Sequence, residues 1–191
     1  MAVLGIDIGG SGIKGNLVDP FTGNLESDRY KIATPQPSTP DAVADVIVEM
    51  IEHFEYRGPV GCTFPAIVRR GVALSAANVD DSWIGTNAEE VFERHSPSND
   101  FTMLNDADAA GIAEVEFGAA KGRSGVVIMV TFGTGIGSGM FVDGTLVPNT
   151  ELGHLQFEGY ESVEDWAAAK VKKEEGLSWE EWAARAGAYL N

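Results

Sequence analysis

The strongest constraint on this chain is a pattern that occurs twice. In "VLGIDIGGSGIKGNLVD" (3–19) an apolar segment, a glycine-rich reversal and a second apolar segment follow one another, and "GVVIMVTFGTGIGSGMFV" (125–142) repeats the order. Each apolar segment has the length and composition of a buried strand. Glycine has no side chain, so a glycine-rich reversal lets backbone N–H groups approach a bulky anion. The pair predicts an α/β chain of two lobes, residues 1–104 and 105–191, each carrying one such hairpin.

Between the hairpins the punctuation is clear. "DPFTGN" (19–24) is a turn by its Pro, Gly and Asn content, and "TPQPSTP" (34–40) is a proline-rich connector. Thr39-Pro40-Asp41 supplies a helix cap, a proline at the first helical position and an acidic first turn. The helix it opens places Val43, Val46, Ile47, Met50, Ile51 and Phe54 on one face. "PVGCTFPAIV" (59–68) predicts a strand running into a loop, and "TNAEEVFERH" (86–95) a short helix opened by a capping box. A further helix is expected from about Asp108 to Phe117, stopped at Gly118. The tail from Glu158 reads as helical, acidic and tryptophan-bearing.

Several function classes are excluded. The turn at 131–139 lacks the G-x-G-x-x-G spacing that opens a helix in dinucleotide folds, and no G-x-x-x-x-G-K-[ST] loop is present. A formal charge of −16 argues against general nucleic-acid binding. The apolar runs are too short for a membrane span, and the N-terminus lacks the basic residue of a signal peptide, so a cytoplasmic protein is expected. One cysteine, Cys62, gives neither a disulfide nor a cysteine-rich zinc site.

Phosphoryl transfer requires a base near the acceptor hydroxyl and positive charge around the donor. "NDADAAG" (105–111) follows the apolar "FTML" and precedes a helix, which places Asp106 at a strand end, where a carboxylate can accept a hydroxyl proton. Helix capping is the other duty open to Asp106, and the one kept for Asp108.

"DIGGSGIKG", "NDADAAG" and "TFGTGIGSG", in that order, resemble the sugar kinases of the actin-like ATPase superfamily, and more narrowly the ROK (repressor, open reading frame, kinase) family. "FPAIVRRG", "NVDDSWIGTN" and "VPNTELGHL" resemble its polyphosphate-using glucokinases. The resemblance implies a ribonuclease H-like, actin-like fold of two lobes around a cleft. It also implies further C-terminal segments, so that the second lobe is expected to be incomplete. Asp106 becomes the catalytic base, and Asn78, Asn105, Glu151, His154 and Glu164 the sugar ligands, with Glu158 and Glu161 as alternatives to Glu164. Asp81 and Trp83 are weaker sugar-side candidates, with a place in the core as the alternative for Trp83. The family's usual cysteine-rich zinc loop is missing after Gly153-His154, so no zinc is expected.

Donor phosphates are assigned to Gly9, Gly10, Ser11, Gly12, Lys14, Thr131, Gly133, Thr134 and Gly135, with Asp7 holding Mg2+, directly or through water. The substrate is expected to be glucose, with mannose a second sugar, and the donor polyphosphate, ATP or both. Lys121, Arg123, Arg69 and Arg70 are the basic clusters available to a polyanion. An ATP-dependent hexose or mannose kinase and a shortened, inactive sugar-binding module are the alternatives, and the resemblance implies a homodimer. A sugar-sensing repressor would need a basic helix-turn-helix, which the sequence lacks.

Overall fold

The computed structural model describes residues 2–76 and 79–191. Its contacts divide the chain into two compact units, Met1–Ala109 and Ala110–Asn191.

The first unit is built on β1 (Val3–Ile8), β2 (Ile13–Val18), β3 (Tyr30–Ile32), β4 (Val60–Phe64) and β7 (Phe101–Asn105), in the order β3-β2-β1-β4-β7. β1–β2 and β2–β3 are antiparallel, while β1–β4 and β4–β7 are parallel. Period-two alternation sends Leu4, Ile6, Ile8 and Ile13 into the core, where they meet Val43, Ile47 and Met50 of α1 (Pro40–His53). Asp7 and Lys14 therefore lie on the opposite face. α1 begins as its sequence dictates: Thr39 Oγ1 accepts from Ala42 N–H, and Pro40 occupies the first turn. A small hairpin, β5 (Val68–Arg69) and β6 (Val72–Ala73), leads through a short 3-10 turn at Asp81–Trp83 to α2 (Ala88–His95).

The cap of α2 differs from the expected capping box. Asn87 Oδ1 accepts from Glu90 N–H, and Glu90 takes the Asn87 side-chain amide and not its backbone N–H. Thr86 and Glu89 are engaged elsewhere: the Thr86 hydroxyl donates to Ser82 O, and Glu89 accepts from Met103 N–H on β7. Trp83 is fully buried, its indole N–H donating to Ser38 O at 2.8 Å and its ring tilted against Phe64. That environment makes it a core residue.

α3 (Asp106–Glu116) follows β7 directly, and the division between the units falls within it. The second unit holds β8 (Val126–Phe132), β9 (Ile136–Val142) and β10 (Thr145–Val147), an antiparallel sheet in the order β10-β9-β8. The tail is helical from Glu164, six residues later than expected, as α4 (Glu164–Ala167), α5 (Ala169–Glu175) and α6 (Trp179–Leu190). Residues 157–160 form an isolated bridge instead, Phe157 against Tyr160. Ile136, Val163, Ala167, Ala168 and Val171 form this unit's core, with Phe132, Trp166 and Tyr189 packed against it. α6 is fixed by a capping box, Ser178 with Glu181, and by Trp182 Nε1 donating to Ala167 O.

Candidate active site

In the first unit the glycine reversal closes a register that ends at Ile8↔Ile13. Gly9 N–H donates to Gly12 O at 3.2 Å, so this amide closes the turn. The turn is anchored from outside by Thr34, a buried residue of the proline-rich connector whose hydroxyl donates to Gly9 O. Asp7 stands just before the turn. Its Oδ2 receives Lys14 Nζ at 2.8 Å and its Oδ1 receives Thr63 Oγ1 at 2.8 Å, because Lys14 and Thr63 are its register partners on β2 and β4. The carboxylate is half-exposed and held from both sides. It borders a recess of ≈ 410 Å³ whose lining includes Gly5, Lys14, Asn16, Gly61 and Thr63.

Asn105 ends β7, and its side chain starts α3. Asn105 Oδ1 accepts from Ala107 N–H at 2.9 Å and Asp108 N–H at 3.0 Å, and Nδ2 donates to Ala66 O at 3.1 Å. The residue is buried, so its amide is committed chiefly to capping the helix and tying down the loop after β4. That fixes the next residue, Asp106, which keeps solvent access at the head of α3. Crowding by the fold raises the Asp106 pKa above the ordinary carboxylate value. The Ala107 N–H pulls the other way, and the nearby charges of Asp7 and Asp108 push it further up. A carboxylate so perturbed, near a phosphate-type turn, is suited to proton transfer. Asp108 is buried.

In the second unit the turn between β8 and β9 is internally braced. Gly133 N–H donates to Gly135 O, and Gly133 O accepts from Lys170 N–H at the start of α5. Glu164 Oε2 accepts from Ile136 N–H at 3.1 Å and occupies the space a side chain at Gly135 would need. The same carboxylate lies 3.7 Å from His154 Nε2, and His154 Nδ1 lies 3.6 Å from Glu151 Oε2. Glu151, His154 and Glu164 are thus brought together, and the cluster abuts the glycine turn itself. Its segment is stapled to β9: Leu152 N–H donates to Ser138 Oγ, and Gly153 lies so close to Ile136 O that no Cβ fits. Glu151 itself sits in the left-handed region at φ 45°, ψ 42°, a strained backbone of the kind that clusters at functional sites.

The remaining expectations fall elsewhere. Asn78 lies outside the described residues. Gly10, Ser11 and Thr134 belong to the two reversals, while Thr131 lies in β8, paired with Gly137. Asp81 is exposed in the 3-10 turn. Arg69 and Arg70 sit at the β5–β6 hairpin, Arg70 at φ 52°. Lys121 lies over the Phe117 ring, and Arg123 is exposed. The two histidines that no motif marks have structural partners: His53 stacks on Tyr30, and the His95 ring contacts Val91 O. Among the described residues no group of three His, Cys, Asp or Glu is disposed to hold a metal, and no helix is long and apolar enough to cross a membrane. The sequence reading missed Thr34, Thr63 and Ser138. Their partners lie 25, 56 and 14 residues away, and no local motif marks them.

Backbone turns suited to phosphate and a carboxylate–imidazole cluster suited to hydroxyls are what a mixed α/β protein of the sugar-kinase type requires. The chain belongs to the ROK family, whose sequence model matches residues 3–174. It is 52% identical over 179 residues to the polyphosphate glucokinase of Mycobacterium tuberculosis, an alignment covering 94% of this chain and 67% of that protein. Among solved structures it is similar to the inorganic polyphosphate/ATP-glucomannokinase of Arthrobacter sp. strain KM, with a TM-score of 0.91 and 43% identity, covering 99% of this chain and 77% of that one. The ROK family glucokinase of Streptomyces griseus, solved with glucose and AMPPNP, gives a TM-score of 0.78 at 26% identity, covering 96% and 64%.

Proposed function

We propose that this chain phosphorylates glucose at the 6-hydroxyl with inorganic polyphosphate as donor, that ATP serves as a second donor and mannose as a second acceptor, and that its fold is the actin-like, ribonuclease H-like one of the family. The observation that carries the reading is the 52% identity to a polyphosphate glucokinase, against 26% to the glucokinase solved with AMPPNP.

The roles follow from the residues. Gly10, Ser11 and Gly12 present backbone and hydroxyl donors to the donor's phosphates, and Lys14 adds positive charge. Thr131, near the end of β8, and Thr134 and Gly135, in the second turn, do the same. Glu151 and Glu164 accept hydrogen bonds from the hexose hydroxyls and His154 accepts or donates them, and the family resemblance assigns Asn78 and the remaining capacity of Asn105 to the same sugar. Asp106 takes the proton of the 6-hydroxyl as its oxygen bonds to the terminal phosphorus. The bridging P–O bond breaks, and its electron pair leaves on the shortened polyphosphate.

Asp7 suits a hydrated Mg2+: a single half-exposed carboxylate, held by Lys14 and Thr63, fits an ion that keeps most of its waters and takes its other ligands from phosphate. When bound, Mg2+ neutralises charge on the donor.

The test is production of glucose 6-phosphate with polyphosphate as the only donor, in parallel with ATP. Turnover with polyphosphate at least equal to that with ATP is expected. Turnover with ATP alone would favour the ATP-dependent hexose kinase.

A further inference from the structure

Lys31 was singled out by no motif, yet it occupies a telling place. It is the central residue of β3, the edge strand, and its register partner on β2 is Lys14. Its neighbours Tyr30 and Ile32 pack against the core, so Lys31 shares the opposite face with Lys14 and Asp7. Like charges directly across a strand pair repel, and such an arrangement is disfavoured unless something offsets it. Lys14 is offset by Asp7 at 2.8 Å. Among the described residues no ion pair engages Lys31.

A lysine on an edge strand commonly wards off pairing by another chain, and then it points outward. Lys31 turns inward. Its stem lies across Gly12, where an added Cβ would sit 2.5 Å from Lys31 Cε and 3.3 Å from Nζ. The ammonium therefore stands over the first glycine reversal. In a chain with 13 basic and 29 acidic residues, two cations opposed at the mouth of one glycine turn leave an uncompensated positive charge that an anion would satisfy.

We propose that Lys31 is a ligand of the donor's phosphoanhydride chain, a second cation beside Lys14. The inference rests on the kinase reading above, and it assigns a residue that the reading does not use.

The test compares wild type, Lys31→Gln and Lys31→Arg by calorimetry, titrating sodium tripolyphosphate in one arm and ATP in the other, with glucose titrated separately. Lys31→Gln is expected to weaken tripolyphosphate binding about tenfold, as for one lost charge-assisted contact. It should also make the decline of binding with salt shallower by about one counterion, while glucose affinity keeps its wild-type value. Lys31→Arg should restore most of the binding. A loss confined to tripolyphosphate assigns Lys31 to the inorganic chain, and a loss in both arms assigns it to phosphates the two donors share. Wild-type binding of both donors by Lys31→Gln would overturn the assignment alone. A wild-type protein that makes no glucose 6-phosphate from either donor would overturn the kinase reading, and this inference with it.

Discussion

Replacing Asn105 by alanine separates two duties that its motif leaves combined. The Asn105 side chain caps α3 through Ala107 and Asp108 N–H and donates to the buried Ala66 at 3.1 Å. Losing an N-cap costs about 1 kcal/mol. Leaving a buried carbonyl without its donor costs about 1–3 kcal/mol more. Asn105→Ala is therefore expected to lower stability by about 2–4 kcal/mol, a large part of the ~5–15 kcal/mol of a typical domain. Asn105→Asp keeps the capping oxygen but turns a charged acceptor toward the buried Ala66 carbonyl. Its loss should be at least as large. Urea denaturation of all three proteins reads the order directly, and glucose affinity read alongside separates the roles. Turnover of Asn105→Ala should fall too, because the cap orients Asp106. An unchanged urea midpoint with weakened glucose binding would refute the reasoning and make Asn105 a sugar ligand above all.

Two further outcomes follow from the same geometry. The Asp106 pKa is raised, so kcat/KM should fall with acidity along a limb placed above the ordinary aspartate value of 3.8, as protonation removes the base. The same raised pKa makes the folded state lose stability as pH rises through it, so Asp106→Asn should be the more stable protein near neutrality and converge with wild type in acid, as thermal melts across pH would show. Glu164 joins the His154 cluster to Ile136 N–H. Glu164→Ala is expected to raise KM for both sugar and donor, each about tenfold, and Gly135→Ala to reproduce it by displacing that carboxylate; a defect confined to the sugar in steady-state kinetics would uncouple them.

Much of this arrangement was legible in the chain. Strands β1, β2, β8 and β9 are apolar runs bounded by glycine turns, and α1 carries its start signal in Thr39-Pro40. The order strand, Asn-Asp, helix placed Asp106 correctly at a strand end. What escaped depends on register and on distant partners. β3 has only three residues and exists by pairing with β2. Thr63 meets Asp7 because β4 lies parallel to β1, a relation no local pattern states. The sequence marked Glu164 as a sugar ligand, but its bond to Ile136 spans 28 residues and gives Gly135 a reason for being glycine beyond phosphate. Of the two places the sequence left open for Trp83, sugar side and core, burial selects the core.

The central claim is that Asp106 takes the hexose proton in a phosphoryl transfer. Its most direct test is the Asp106→Asn protein, with glucose binding followed by calorimetry and glucose 6-phosphate formation from polyphosphate followed in a coupled assay. Retained glucose affinity with turnover reduced by about 10²–10⁴ is expected for a lost general base. Turnover close to wild type would contradict the account.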